Sequence, residues 1–275
     1  MKTTILITGA STGIGFYCAK ELHRLGYKVI ASCRKFEDIK KIEDLSINCV
    51  QLDLNETDSI RNGFKNALAL GNGKIDALFN NGAYGQPGAL EDLSTKALRE
   101  QFETNFFGWH ELTRLVIAQM LNQGNGKIIQ NSSVLGLVAM KYRGAYNSSK
   151  FAIEGYTDTL RLELMNTPIS ISLIEPGPII SNFRKNARIK FDEHINANAS
   201  RHKNDYLQLQ TRLDKDDVTS QFTLAEEAVL KPLLCILTAK NPKARYYVTQ
   251  PTYILGFLKR ILPSKILDKF VSKAI

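Results

Sequence analysis

Of the ten tyrosines in the chain, only Tyr146 is followed four residues later by a lysine, Lys150. In a helix that spacing puts the phenol and the ammonium on one face. Such a pair suits proton transfer at oxygen. Hydride added to a carbonyl carbon leaves an oxygen that needs a proton, and oxidising an alcohol runs the step backwards. A free phenol, with a pKa of about 10, does this poorly near neutrality. Bringing it to about 7 requires about 4 kcal/mol of differential stabilisation, and a neighbouring ammonium favours the phenolate. Ser133, in Asn131-Ser132-Ser133-Val134-Leu135-Gly136, offers a hydroxyl to hold a substrate oxygen within reach of Tyr146. Alone, Tyr-x-x-x-Lys is equally a surface helix pair, so its meaning rests on the rest of the chain.

A second cluster lies near the start. Thr8-Gly-Ala-Ser-Thr-Gly-Ile-Gly15 follows a short apolar run and opens a helical pattern. Gly9, Gly13 and Gly15 let the backbone turn sharply and approach a pyrophosphate, with Ser11, Thr12 and Ile14 between them and the charge at a helix N-terminus. Glycine clusters are also ordinary turns; the position between first strand and first helix gives this one weight. The second strand ends in Ala31-Ser32-Cys33-Arg34-Lys35, with no acid before Glu37. A carboxylate there would repel a 2′-phosphate, whereas Arg34 would grip it, which predicts NADP(H) over NAD(H); a solvated basic turn is the alternative. Asp53 and Leu54 close the third strand and Asn80-Asn81-Gly82-Ala83 the fourth. Both fall at strand carboxyl ends, where open α/β sheets bind ligands, although either could be a plain strand-ending turn.

These groups need a scaffold that brings strand ends together. Candidate strands are Ile5–Ile7, Lys28–Ala31, Asn48–Leu52, Ala77–Phe79, Lys127–Gln130, Ser170–Ile174 and Tyr246–Thr249. Between them run amphipathic stretches such as Gly15–Leu25, Thr57–Leu70, Thr95–Leu121 and Tyr146–Met165. Strand–helix alternation predicts an α/β doubly wound, Rossmann-like fold, and apolar runs without alternation suit strands buried on both faces. Residues 182–221 are polar and irregular, which suggests a substrate lid, and Thr223-Leu-Ala-Glu226 reads as a capping box for the next helix. The whole chain, 1–275, reads as one domain.

Composition bounds the partners. The chain carries 44% hydrophobic and 23% charged residues and a net charge of +9. That balance is ordinary for a globular enzyme and favours an anionic partner. The basic residues are dispersed and match no nucleic-acid motif, so no nucleic-acid partner is expected. Cys18, Cys33, Cys49 and Cys235 form no C-x-x-C pair or zinc spacing, so no metal is expected, and reduced thiols of a cytoplasmic protein are the natural reading. The opening apolar run is too short for a signal peptide or membrane span.

The glycine loop, the N-N-G-A segment, Ser133, Tyr146–Lys150 and Glu175-Pro-Gly177 resemble, in order and spacing, the short-chain dehydrogenases/reductases over about residues 3 to 182. The resemblance implies a seven-stranded, mainly parallel sheet and hydride transfer between nicotinamide and an alcohol or carbonyl. It makes Tyr146 the proton donor and acceptor, and makes Lys150 both the group that lowers its pKa and the holder of the nicotinamide ribose. It selects Ser133 over Ser132, and gives Asn105 the support of a proton-relay water. It assigns Asp53 to adenine, Asn81 and Gly82 to the adenosine side, and the Ile179 backbone, in Pro176-Gly-Pro-Ile179, to the carboxamide. The family's usual N-N-A-G is inverted here, and Ser181 replaces the usual threonine.

The branch it looks like includes steroid- and retinol-type oxidoreductases, implying a lipophilic carbonyl or secondary alcohol. Candidate substrate contacts are Leu135, Tyr142 and Phe183, with Val138, Met140 and Phe191 nearby and Tyr84 and Gln86 at the mouth. The basic, apolar segment Thr252–Ile275 is expected to pack on the domain or a sister subunit, with peripheral attachment to anionic lipid as the alternative. The family resemblance implies a homodimer or homotetramer. A catalytically silent NADP-binding regulator would have lost Ser133, Tyr146 or Lys150. Arg34 argues against an NAD-linked alcohol dehydrogenase.

Overall fold

In the computed structural model, residues 2–215 and 221–272 are described, and the alternating pattern becomes seven strands and eleven helices among them. The strands are β1 (Thr4–Ile7), β2 (Lys28–Cys33), β3 (Asn48–Gln51), β4 (Ala77–Asn80), β5 (Gly126–Asn131), β6 (Ile169–Glu175) and β7 (Arg245–Tyr247). They form one parallel sheet ordered β3-β2-β1-β4-β5-β6-β7. The order runs outward from β1 one way and from β4 the other, so a crevice opens at their carboxyl ends. Every residue of β1 and β4 is buried, as strands covered on both faces must be.

Helices α1 (Gly13–Arg24), α2 (Phe36–Glu43) and α9 (Glu227–Thr238) cover one face through Cys18, Leu22, Ile42, Val229 and Leu233. Helices α3 (Thr57–Leu70), α5 (Gly108–Gln123) and α6 (Gly144–Glu163) cover the other through Ile60, Trp109, Leu112, Val116 and Ile153. Each such aliphatic side chain contributes about 1.5–3 kcal/mol by leaving water.

The helix expected across Thr95–Leu121 is broken. α4 (Thr95–Phe102), with the Ser94 hydroxyl accepting from Ala97 N–H, gives way to a π-turn at Glu103–Phe107 before α5 begins. The wider turn accommodates Asn105, whose side chain is held by Tyr84 and Ser149. Such turns concentrate at functional sites.

The lid is not irregular. Its described part forms α7 (Phe183–His194) and α8 (Lys203–Asp214), while residues 216–220 lie outside the described ones. Their inner faces bury Ala187, Phe191, Tyr206, Leu209 and Leu213 as a small second core, and the outward faces are polar because they meet water. The capping box fails too. α9 starts at Glu227 because Leu224 is drawn into a bridge with Ile179, with hydrogen bonds to Pro178 and Ile180. The C-terminal segment forms α10 (Gln250–Ile261) and α11 (Ser264–Val271); Leu255, Leu258, Leu262 and Leu267 pack on Val134, Leu135 and Val138, whereas Lys273 and residues 274–275 lie outside the described residues. Cys18, Cys33 and Cys49 are buried free thiols, and Cys235 is exposed.

Candidate active site

The glycine loop is shaped by close approach. Gly9 has φ +65° and Gly13 φ +57°, and a Cβ on Gly9 would lie 2.5 Å from the Gly82 Cα. Thr12 enters α1 in an extended conformation without a side-chain cap, so the first-turn N–H groups beside Gly13, Ile14 and Gly15 face outward from a helix twelve residues long. Ser11 is half-buried and Thr12 exposed on that rim. A phosphate fits this cradle.

Beneath the loop, the β1 and β4 ends are stitched together. Thr8 Oγ1 accepts from the N–H groups of Asn81 and Gly82, and Asn81 Nδ2 donates to the carbonyls of Thr8 and Gly9. Asn131 Nδ2 donates to Asn81 Oδ1 at 2.8 Å. Asn81 thus holds the loop rather than extending into the crevice. Ala83 is half-buried on the same strand end.

At the far end of the crevice, Arg34 is exposed just beyond β2, its carbonyl accepting from Gln51. Asp53 Oδ1 accepts from Asn55 N–H, while Leu54 is buried where Gly108 passes its carbonyl so closely that a Cβ would lie 2.1 Å away.

Tyr146 and Lys150 lie on α6 against the end of β5. Lys150 Nζ donates to the Asn131 carbonyl at 2.8 Å and stands 5.7 Å from the Tyr146 ring centroid. The side chain is 1% exposed. Burial drives its ammonium down to about 7, opposed by the Glu154 carboxylate. Burial pushes the Tyr146 phenol up to about 12, and a hydrogen bond from Ser133 pulls it back. Burial therefore dominates both groups, and of the two Lys150 titrates near neutrality. Ser133 Oγ also accepts from Leu135 N–H. Asn105 is fully buried, bonding Tyr84 on both its N–H and its carbonyl and reaching Ser149 at 3.2 Å.

The segment after β6 closes the crevice. The Pro176 carbonyl accepts from Val134 N–H, Gly177 presses against Thr249, and Ile179 pairs with Leu224. Ser181 Oγ accepts from Phe183 N–H, and the Phe183 ring packs edge-on over Tyr146 with centroids 5.1 Å apart. Of the expected substrate contacts, Phe183 is therefore against the phenol. Leu135 is half-buried beside the C-terminal helices. Tyr142 instead turns its ring into the lid core and donates its hydroxyl to Asp205. Val138 and Phe191 are core as well.

Sequence reading missed two participants. Trp109, under Lys150 at 4.4 Å, donates its indole N–H to the Gly82 carbonyl. Arg245 gathers Glu154, Asp158 and Glu175 at 3.0, 2.9 and 3.4 Å. Burial and the Glu154 carboxylate push Glu175 up to about 9, opposed by the Arg245 guanidinium. Nothing in local spacing marked them, because each acts through partners distant in the chain.

The family model for short chain dehydrogenase matches residues 3–191. The chain is 37% identical over 275 residues to the uncharacterized oxidoreductase YbbO of Escherichia coli, covering 98% of this chain and 94% of that one. It is 36% identical over 193 residues to human retinol dehydrogenase 8, covering 66% and 60%. A Burkholderia phymatum short chain dehydrogenase/reductase in complex with NAD superimposes with a TM-score of 0.80 at 23% identity, over 94% and 92% of the two chains. A Burkholderia cenocepacia short chain dehydrogenase in complex with NADP does so at 0.75 and 19%, over 98% and 97%. The matched family, the parallel sheet and the order of its motifs agree: the chain belongs to the short-chain dehydrogenase family of oxidoreductases.

Proposed function

We propose that this protein is an NADP(H)-dependent oxidoreductase that moves a hydride between nicotinamide and a carbonyl or secondary alcohol, with Tyr146 as general acid and base. The observation that carries it is the stack of Ser133, Tyr146 and Lys150 at the end of β5, facing the glycine cradle across the crevice. The nucleotide, when bound, supplies the hydride. Ser133 holds the substrate oxygen, Tyr146 gives or takes its proton, and Lys150 holds the ribose and favours the phenolate. Asn105 keeps the relay side of the site in register through Tyr84 and Ser149.

The first-turn N–H groups of α1 with Ser11 and Thr12 receive the pyrophosphate, and Arg34 receives the 2′-phosphate. Asp53, Leu54, Gly82 and Ala83 flank the adenosine, while Pro176, Gly177, Ile179 and Ser181 flank the nicotinamide. The edge-on ring of Phe183 supports a lipophilic substrate. Emission of Trp109, titrated side by side with NADPH and NADH, tests the reading. Preference for NADPH supports it, equal binding overturns the cofactor choice, and no binding of either overturns the enzyme.

Two assembly statements belong to the same reading. α10 and α11 bury one face on the domain yet leave Tyr253, Ile254, Phe257, Ile261 and Phe270 exposed beside Lys259, Arg260, Lys265 and Lys269. An apolar face ringed by cations fits an anionic bilayer surface. Co-sedimentation with phosphatidylserine but not phosphatidylcholine vesicles is the expected result, abolished in Phe257→Asp. Among the described residues no helix is long and apolar enough to cross a membrane. Exposed Phe107, Phe151 and Leu162, around α5 and α6, support pairing into a homodimer or homotetramer, checked by sedimentation velocity.

A further inference from the structure

The phenol of Tyr146 is covered. Tyr146 and Ser133 are each only 8% exposed, and the ring lying edge-on over Tyr146 is Phe183, the first residue of α7. The third party to this contact is Gly85. A Cβ on Gly85 would lie 2.5 Å from Phe183 Cζ and 3.5 Å from Tyr146 Cδ2, so the Phe183 ring rests on bare backbone. With both hydroxyl-bearing residues so nearly covered, a carbonyl cannot approach the two together while that ring stays in place.

Wall and ring differ in their freedom. The segment carrying Gly85 is clamped on both sides of the glycine. Tyr84 N–H donates to Asn105 Oδ1 at 3.1 Å, and Asn105 Nδ2 returns a bond to the Tyr84 carbonyl at 2.9 Å. The fully buried Gln101 accepts from Gln86 N–H at 2.7 Å and donates to the Tyr84 carbonyl at 2.8 Å. The far half of α7 is docked on the same segment. Its Lys190 carbonyl accepts from Gln86 Nε2 at 3.1 Å, and the Ile195 that follows the helix presses on Gly88. The Phe183 side chain is held differently. It is half-buried and carries no polar atom, so an edge contact with one ring and a glycine must hold it. That is a modest attraction, and a phenylalanine has other staggered positions to turn to. The ring therefore yields before the wall does.

We propose that Phe183 and Gly85 set the specificity of the site: the ring swings off Tyr146 to admit a carbonyl, and the glycine wall limits the bulk that takes its place. The space released is that of one phenyl ring, bounded on one side by backbone that stays put. It suits an aldehyde or methyl ketone at the end of an apolar chain, with its slim side toward Gly85 and the chain running out under the lid. A ketone with bulk on both sides of the carbonyl does not fit. This deepens, and rests on, the oxidoreductase reading above.

The probes are methyl heptyl ketone and dibutyl ketone, isomers that differ only in where the carbonyl sits. With NADPH, wild-type kcat/KM for the methyl ketone should exceed that for dibutyl ketone by about ten- to a hundredfold. Phe183→Ala should raise the dibutyl ketone value and shrink that ratio by about tenfold. Phe183→Leu should fall between, and it serves if the alanine variant fails to fold. Gly85→Ala added to Phe183→Ala should restore the ratio, since a methyl there refills the slot yet clears the Tyr146 ring at 3.5 Å. A general loosening of the lid would give no such reversal. Calorimetric Kd values for the two ketones on the NADP+-loaded protein should follow the same ranking, and they decide the matter if neither ketone is turned over. A ratio equal in wild type and Phe183→Ala, or one that Gly85→Ala fails to restore, overturns the inference while leaving the oxidoreductase intact. The same holds if neither ketone binds to protein that binds the nucleotide. Failure to bind NADPH at all would instead defeat the reading on which the inference rests.

Discussion

The Lys150 ammonium lies 4.4 Å from the centre of the Trp109 ring, within cation–π range, and both side chains are buried. Trp109 is the only tryptophan in the chain, so the site carries its own optical reporter. Because burial sets Lys150 at about 7, the charge above the indole should come and go near neutrality. Emission of the protein without added nucleotide should therefore show a transition centred near pH 7 that Lys150→Met lacks. A flat profile in the wild type would remove Lys150 from the neutral range.

The same lysine should cost stability. Its folded pKa of about 7 lies below the ordinary 10.5, so between those values the unfolded chain binds more protons and wild-type stability rises with pH. Lys150→Met removes the penalty and forfeits the bond to Asn131 and the ring contact. We expect a Tm gain at pH 7 of a few degrees, from about 1–2 kcal/mol, shrinking toward pH 10. Calorimetry at both pH values checks the direction.

Tyr146→Phe should abolish proton transfer while leaving the ring packed on Phe183. Loss of a positioned acid lowers kcat by about 10²–10⁴-fold, with Kd for NADPH unchanged. A variant retaining wild-type turnover would move the proton donor elsewhere.

Arg34→Asp places a carboxylate where the 2′-phosphate would sit. Affinity for NADPH should fall by about tenfold to a hundredfold, equivalent to about 1.4–2.8 kcal/mol, while NADH binding holds or improves. Parallel titrations of Trp109 emission measure both, and an unchanged NADPH affinity would refute the role of Arg34.

Glu175 stands at about 9 when folded against an ordinary 4.5. The native state therefore binds more protons across that window, and stability falls as pH rises through it. Above pH 7 Lys150 contributes the opposite slope, so pH 5–7 is the clean interval. Tm should decline there in the wild type and flatten in Glu175→Gln. Equal slopes would mean the proton is not held at this pair.

The strands were legible because β1, β4 and β6 are covered on both faces, which forces the apolar runs seen at Ile5–Ile7 and Ser170–Ile174. The glycine loop and Tyr146–Lys150 were legible because their chemistry fixes spacing within one element. What failed depended on partners far along the chain. The break at Asn105 is set by Tyr84 and Ser149, the course of Thr223–Glu226 by Ile179, and the turn of Tyr142 toward Asp205 by packing beneath α8. The lid helices were a misjudgement of another kind. Ala187–Phe191 and Tyr206–Leu209–Leu213 do carry helical spacing, diluted by the polar residues that face water.

The leucines of α10 and α11 rest on Val134 and Val138, immediately after the Ser133 that would hold the substrate. The tail therefore buttresses that turn. Clipping the chain before Gln250 to improve handling would strip that turn of its apolar cover and loosen the hydroxyl it carries. Trimming surface apolar residues such as Phe257 one at a time is the gentler route to a better-behaved protein, and a fusion partner is better placed elsewhere than on this end.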